Sequence, residues 1–268
     1  MNAEIGATWL VEFVAESILQ CAVQALTTPP PEEPDTPLPE LTGVIGWWDA
    51  SVFASLNLTG SIINTVADQS GNSNDLGAFG SNARPTYSPT GFNGKPAMLF
   101  SATSHSALSC SHFGMGAGDT LTIWVVGARV NNDQFGRAMS YTAPGASHDY
   151  DHVGSWACSF ANVSRSIHLE RNNQITPDSS IVNQNVPARW IGTIDPSGNM
   201  KVYTDGVGTS TTSSPGNWVT DGDLTLGVGK LVAAFWDGTI AECGVSTDFY
   251  DATAVAALDD YLKVKWGL

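Results

Sequence analysis

Apolar and polar positions change rhythm twice along this chain. Over residues 4–26, Val11, Val14, Ile18, Cys21 and Ala25 recur at alternating steps of three and four, the seam of a helix. Trp9, Leu10, Phe13, Leu19, Val23 and Leu26 fall off that seam, so the helix is apolar on more than one side and needs a partner surface. Self-association, docking into a larger assembly, or packing back on its own domain would each supply one. TTPPPEEPDTPLPE, residues 27–40, then reads as a Pro- and acid-rich linker of extended, semi-stiff character.

From Leu41 onward the rhythm is that of short strands. Apolar or alternating runs predict strands over 43–48, 95–100, 120–130, 136–141, 152–160, 166–170, 188–195, 200–204, 223–228 and 238–246. DQSGNSND, SPTGFNG, DPSGN, TDGVG and VTDGD supply the turns between them. One helix closes the chain: Asp251 caps it, and Val255, Leu258, Leu262 and Trp266 share a face. The pattern is mainly β, an antiparallel two-sheet sandwich with a C-terminal helix, preceded by the N-terminal helix and the linker. The domains expected are an attachment or oligomerisation helix (1–26), a linker (27–40) and the sandwich (41–268).

Composition narrows the function classes. With 26 acidic residues against 11 Lys and Arg the net charge is −15, and no basic cluster offers a nucleic-acid face. An acidic membrane surface would repel such a chain. The segment ATWLVEFVAESILQCAVQAL is apolar, but no Lys or Arg precedes Arg84, so a signal peptide lacks its basic n-region. Glu12 and Glu16 interrupt the run, which is too short and charged to span a bilayer. The expectation is a protein made and kept in a reducing cytoplasm, or released by lysis. Cys21, Cys110, Cys158 and Cys243 form no CxxC pair and read as free, mostly buried thiols.

Several segments, taken in order, resemble one family: GWWDAS, VADQSGNSNDL, RPTYSPTGFNGKPAMLF, WDGTIAECGV and the closing YLKVKWGL. The series is similar to the concanavalin A-like lectin/glucanase superfamily, and within it to the laminin-G-like domains of bacteriophage virion proteins and bacterial surface proteins. The resemblance covers residues 41–268 and implies a jelly-roll-like sandwich. It implies no single activity, because members bind sugars or proteins, hydrolyse glycans or build virions.

Each candidate site has a functional and a structural reading. Glu242 stands in the middle of the strand 238–246, where a buried carboxylate is costly unless paired. Strict alternation gives it Ile240 and Gly244 as same-face neighbours, so it lacks the closely spaced acids that retaining glycosidases need. A structural carboxylate facing a sheet edge or the closing helix, paired with Lys263 or Lys265, is the expectation. Asp68, Asn72, Asn74 and Asp75 are the oxygen ligands a calcium loop would use; the competing reading is an Asx-rich turn bonded to its own backbone. SHDYDH, residues 147–152, offers His148, Asp149, Asp151 and His152 to a metal, or is a solvated loop. Trp156, Trp190, Trp218 and Trp236 could stack on sugar, although most Trp in a sandwich are core. The expectation is therefore a non-catalytic virion protein decorating a head or tail, held to other virion proteins through residues 1–40, without cofactor unless calcium fills the 68–75 loop. The alternative is a host-glycan-binding adhesin, and behind it a glycan depolymerase.

Overall fold

The computed structural model describes residues 41–116, 118–130, 135–161, 165–177, 182–218, 221–230 and 233–268. The helix expected over 1–26, the linker over 27–40 and Cys21 lie outside the described residues.

Two antiparallel sheets face each other. The first half of the chain forms β1 (Val44–Asp49), β2 (Leu56–Thr59), β3 (Ile62–Val66), β4 (Gly77–Ala78), β5 (Thr86–Phe92), β6 (Lys95–Phe100), β7 (Leu108–Phe113) and β8 (Leu121–Arg129). Next come β9 (Gly136–Thr142), β10 (Trp156–Ala161), β11 (Ser166–Arg171), β12 (Gln174–Ile175) and β13 (Ala188–Ile194). The chain ends with β14 (Asn199–Thr204), β15 (Val207–Gly208), β16 (Thr212–Ser213), β17 (Gly222–Leu226), β18 (Gly238–Ser246) and helix α1 (Ala252–Trp266). An eleven-stranded sheet runs β15-β14-β13-β8-β18-β6-β5-β3-β2, with β1 on β18 and β16 on β14. A seven-stranded sheet runs β12-β11-β10-β9-β17-β7-β4.

The inward faces meet in one core. Trp48, Phe113, Tyr141, Trp156, Phe160, Trp190 and Trp236 are buried in it. The rings of Trp190 and Trp236 meet edge to face at 5.6 Å. The outer face of the larger sheet carries a second apolar layer under α1, where Phe92, Trp124, Val126 and Ile191 meet Val255, Leu258, Leu262 and Trp266. Each such side chain, fully buried, stabilises the fold by roughly 1.5–3 kcal/mol. The Asp251 carboxylate accepts from the backbone N–H groups of Thr253 and Ala254, which caps the helix as its sequence predicts. Arg189 on β13 grips Asp259 of α1 with two bonds, 2.9 and 3.1 Å.

The structure departs from the predicted strands in three ways. The strand expected over 152–160 starts at Trp156, because Ser155 N–H bonds back to the His152 carbonyl and holds 152–155 in a turn. SPTGF belongs to β5 rather than to a turn: the register of β5 on β6 slips between Ser88 and Phe92, a bulge that absorbs the proline and glycine. β2, β3 and β7, and the two-residue β4, β12, β15 and β16, lie in stretches with no predicted strand.

A bulge also decides where Glu242 points. β18 pairs with β6 up to Ile240 and with β1 from Glu242 onward, and its register on β8 shifts between the same two residues. Ala241, at the hand-over, accepts the Ala50 N–H. Ile240 and Cys243 therefore lie in the inter-sheet core while Ala241 packs in the layer under α1. Glu242 faces that helix and not the core side of Ile240, which corrects the neighbour expected from strict alternation. Gly244 allows the close approach here: a Cβ would lie 2.1 Å from the Trp124 ring.

Candidate functional site

Glu242 is fully buried beneath α1. Its Oε1 accepts the Trp47 indole N–H at 2.8 Å, and its Oε2 accepts the Trp266 indole N–H at 2.8 Å. The Lys265 ammonium lies 2.9 Å from Oε2 and also bonds Asp49. Asp49 in turn accepts from the backbone and hydroxyl of Ser51. Burial pushes the Glu242 carboxyl up, against the pull of Lys265. Burial opposes the Lys265 ammonium, but the carboxylates of Glu242 and Asp49 outweigh it and hold the group above its ordinary range. Sealed from solvent and saturated with donors, Glu242 has no path to a substrate. The cluster ties α1 to β1 and β18.

The 68–75 loop is a bonded turn. Asp68 Oδ1 accepts the N–H groups of Trp47 and Ser70, and Oδ2 accepts the Ser70 hydroxyl and the Asn74 N–H. Asp75 accepts the Asp68 N–H. Asn72 and Asn74 donate their side-chain amides to the carbonyls of Val44 and Ile45. The structure thus brings Asp68, Asn72, Asn74 and Asp75 together, with these oxygens and amides engaged by β1 and by the loop itself. Among the described residues no group of three or more His, Cys, Asp or Glu side chains could hold a metal ion.

SHDYDH is the third candidate, and the structure gives it a foundation. The segment 143–155 connects β9 to β10 and folds back over the outer face of the seven-stranded sheet. Its ends are joined by the bond from Ala143 N–H to the Ser155 hydroxyl. Beneath it lies Arg137, placed on that outer face because the register of β9 on β10 slips between Arg137 and Met139. Arg137 Nε donates to Asp149 at 3.2 Å and Nη1 to Glu170 at 2.7 Å, with Ser159 as a further acceptor. All three charged side chains are nearly excluded from solvent. A buried charge persists only when paired, so this triad clamps the loop to β9 and β11. Gly229 makes room for it, since a Cβ there would lie 2.9 Å from Asp149 Oδ2. Further ties come from Arg171 Nε to the Val153 carbonyl and from Asn173 N–H to the Tyr150 carbonyl.

Above the clamp the loop presents a mixed surface. The Arg137 guanidinium lies 4.7 Å from the centre of the exposed Phe135 ring and 5.3 Å from that of half-buried Tyr150. The His148 ring lies 5.1 Å from Tyr150. Asp151 pairs with His148 at 2.7 Å and also accepts its backbone N–H. That bond to the His148 ring holds the Asp151 carboxyl below its ordinary range. His152 Nδ1 accepts the Gly154 N–H, which leaves the proton of the neutral ring on Nε2. Aromatic faces beside fixed donors and acceptors suit a polyhydroxylated ligand.

Sequence reasoning missed Arg137, Glu170, Phe135 and Tyr150. One signal was present: an Arg in GRAMSYT and a Glu in SIHLER stand inside strands, the same anomaly that singles out Glu242. The tryptophans offered for stacking are core. Trp156, Trp190, Trp218 and Trp236 are all buried. Cys110, Cys158 and Cys243 are buried free thiols, and burial pushes Cys110 to about 11 and Cys158 to about 12, which keeps them protonated and unreactive.

No protein-family model matches the chain, and no curated protein sequence matches it. Solved structures do. The chain is similar to the Trypanosoma rangeli sialidase at 12% identity and a TM-score of 0.58, over 97% of this chain and 39% of that one. It is similar to domain 4 of AbnA, a GH43 extracellular arabinanase from Geobacillus stearothermophilus in complex with arabinotriose. That match has 11% identity and a TM-score of 0.54, over 81% of this chain and 98% of the other. A GH54 α-L-arabinofuranosidase matches at 15% identity and a TM-score of 0.52, over 75% of this chain and 50% of that one. Such identities speak to the fold, a β-sandwich, and the chain spans well under two thirds of the sialidase. They also correct the function expected from sequence. These three matching structures are named as glycan-processing enzymes, a further match is a Botulinum neurotoxin serotype D binding domain, and nothing in the fold or in these matches points to a virion protein, a decoration role or a virion location. No helix among the described residues is long and apolar enough to cross a membrane.

Proposed function

We propose that residues 41–268 are a carbohydrate-binding domain of the concanavalin A-like kind, with the 147–152 loop as its binding surface. The observation that carries this is the clamped loop, in which a buried Arg137–Asp149–Glu170 triad fixes Tyr150, Asp151, His148 and His152 at the surface. Loops held by a rigid scaffold are where binding groups concentrate, and preorganisation lowers the cost of taking up a ligand. The structural likeness to domains of glycan-processing enzymes, one of them in complex with arabinotriose, supports the reading.

The domain acts without hydrolysis. Asp149 and Glu170 sit side by side, but both are buried and spent on Arg137, and Glu242 is sealed under α1. It also binds without calcium, since the 68–75 loop gives its oxygens to backbone N–H groups. A panel of immobilised neutral and acidic glycans, probed with and without EDTA, tests the reading. Binding that survives EDTA and drops about tenfold or more in Tyr150→Ala is expected. Absence of binding across the panel, or binding indifferent to Tyr150→Ala, refutes it. Release of sugar from any bound glycan would refute the non-catalytic part.

A further inference from the structure

We infer that this surface selects neutral saccharides and rejects those that carry carboxylates; the inference rests on the carbohydrate-binding reading above. Recognition of sialic or uronic acids needs a cation with donors to spare. Each of the described cations around the loop is tied into the fold. Arg137 is held by Asp149, Glu170 and Ser159. Arg171 donates to the carbonyls of Val153, Ser214 and Gly216 and lies over the Trp218 ring at 3.9 Å. The Lys230 ammonium bonds the Ala146 carbonyl. His148, if protonated, already faces Asp151.

The balance of charge points the same way. Asp149 and Glu170 share the single Arg137 guanidinium and Asp151 faces the His148 ring, in a chain of net charge −15. Asp149 and Glu170 are bound to Arg137 in the interior, whereas Asp151 is half-buried at the surface, ionised and held only by His148 among the described residues. It can accept from a sugar hydroxyl, and it repels a sugar carboxylate at the same position. Asp151 is therefore the residue that sets the discrimination.

Calorimetry on the full chain tests this with matched pairs: lactose against sialyllactose, and arabinotriose against trigalacturonate. The neutral member of at least one pair should bind about tenfold tighter or more. The gap should shrink in Asp151→Asn, and also in wild type at 1 M salt, where the screening length falls to about 3 Å. The salt titration needs no variant, so a folding defect in Asp151→Asn leaves the test intact. Equal or tighter binding of the acidic members, lost in Tyr150→Ala, would overturn the selectivity while upholding the sugar site. Binding of none of the four, together with a silent glycan panel, would overturn both.

Discussion

Two buried charge clusters lie on opposite outer faces of the sandwich, and each sets two carboxylates on one cation. Under α1, Asp49 and Glu242 share Lys265. Under the 143–155 loop, Asp149 and Glu170 share Arg137. A register slip delivers Glu242 in the first case and Arg137 in the second. What differs is the lid. The first is closed by a capped helix that buries Val255, Leu258, Leu262 and Trp266 along with the charges. The second is closed by the loop APGASHDYDHVGS, rich in Ser, His, Asp and Gly, whose described ties to the sheet are mostly polar. The same electrostatic device makes a permanent joint under an apolar helix and a presentation stand under a polar loop.

The comparison breaks hardest at its cations. Lys265→Ala leaves the buried Asp49 and Glu242 without their shared cation, and should cost about 3–5 kcal/mol in denaturant unfolding. Arg137→Met should cost less, about 1–3 kcal/mol, because the loop can lift and let Asp149 hydrate. Its signature should be local: faster hydrogen exchange and proteolysis within 143–155, with α1 still protected. If Arg137→Met unfolds the whole domain as readily as Lys265→Ala, the two lids are equivalent and the contrast fails.

Smaller effects sharpen it. Asp251→Ala removes the cap from the apolar lid and should cost about 1 kcal/mol in thermal or denaturant unfolding, with no change in glycan binding. Acid should separate the two regions with the least perturbation. Asp151 titrates lower in the fold than in the unfolded chain, so its contribution is present above about pH 3.9 and is lost as pH falls through the lower folded value. Glu242 titrates higher in the fold, so its contribution grows as pH falls through that raised value toward about 4.3. Exchange measured on stepping from neutral pH to about pH 3 should therefore rise in the loop before it rises in α1. Simultaneous loosening would contradict the assignment.

Much of the sandwich was legible because its central strands are long apolar or alternating runs. β6 and β18 span the residues their pattern predicts, and β8 and β13 differ only at their ends. The Asp251 cap and the apolar face of α1 were equally plain. β5 was hidden by the proline and glycine of its bulge, and β7 by Ser and His in LSCSHF. Glu242 faces the closing helix and pairs with Lys265 as expected, but its neighbour Ile240 was misread for a physical reason: one extra residue, Ala241, breaks the alternation between them. The 147–152 loop was read as a metal site or a solvated loop, because its anchors lie elsewhere in the sequence. Arg137 precedes Asp149 by 12 residues and Glu170 by 33, and no local pattern records such a pairing.

The placement of β1 beside β18 has a mechanical consequence. Val44 pairs with Ser246 at one end of the ladder and Asp49 with Glu242 at the other. A force drawing residue 41 away from Leu268 would load the ties at the two ends first: the Ser246 and Tyr250 hydroxyls on the Thr42 carbonyl, the Asn93 amide on the Trp266 and Gly267 carbonyls, and behind them the Lys265 bridges from the last turn of α1 to both strands. Once those bridges part, the rungs between β1 and β18 carry the load in sequence from the Val44 end, like the teeth of a zip. Resistance to stretching is thus set by these few ties and the β1–β18 ladder, and not by the breadth of the sheets.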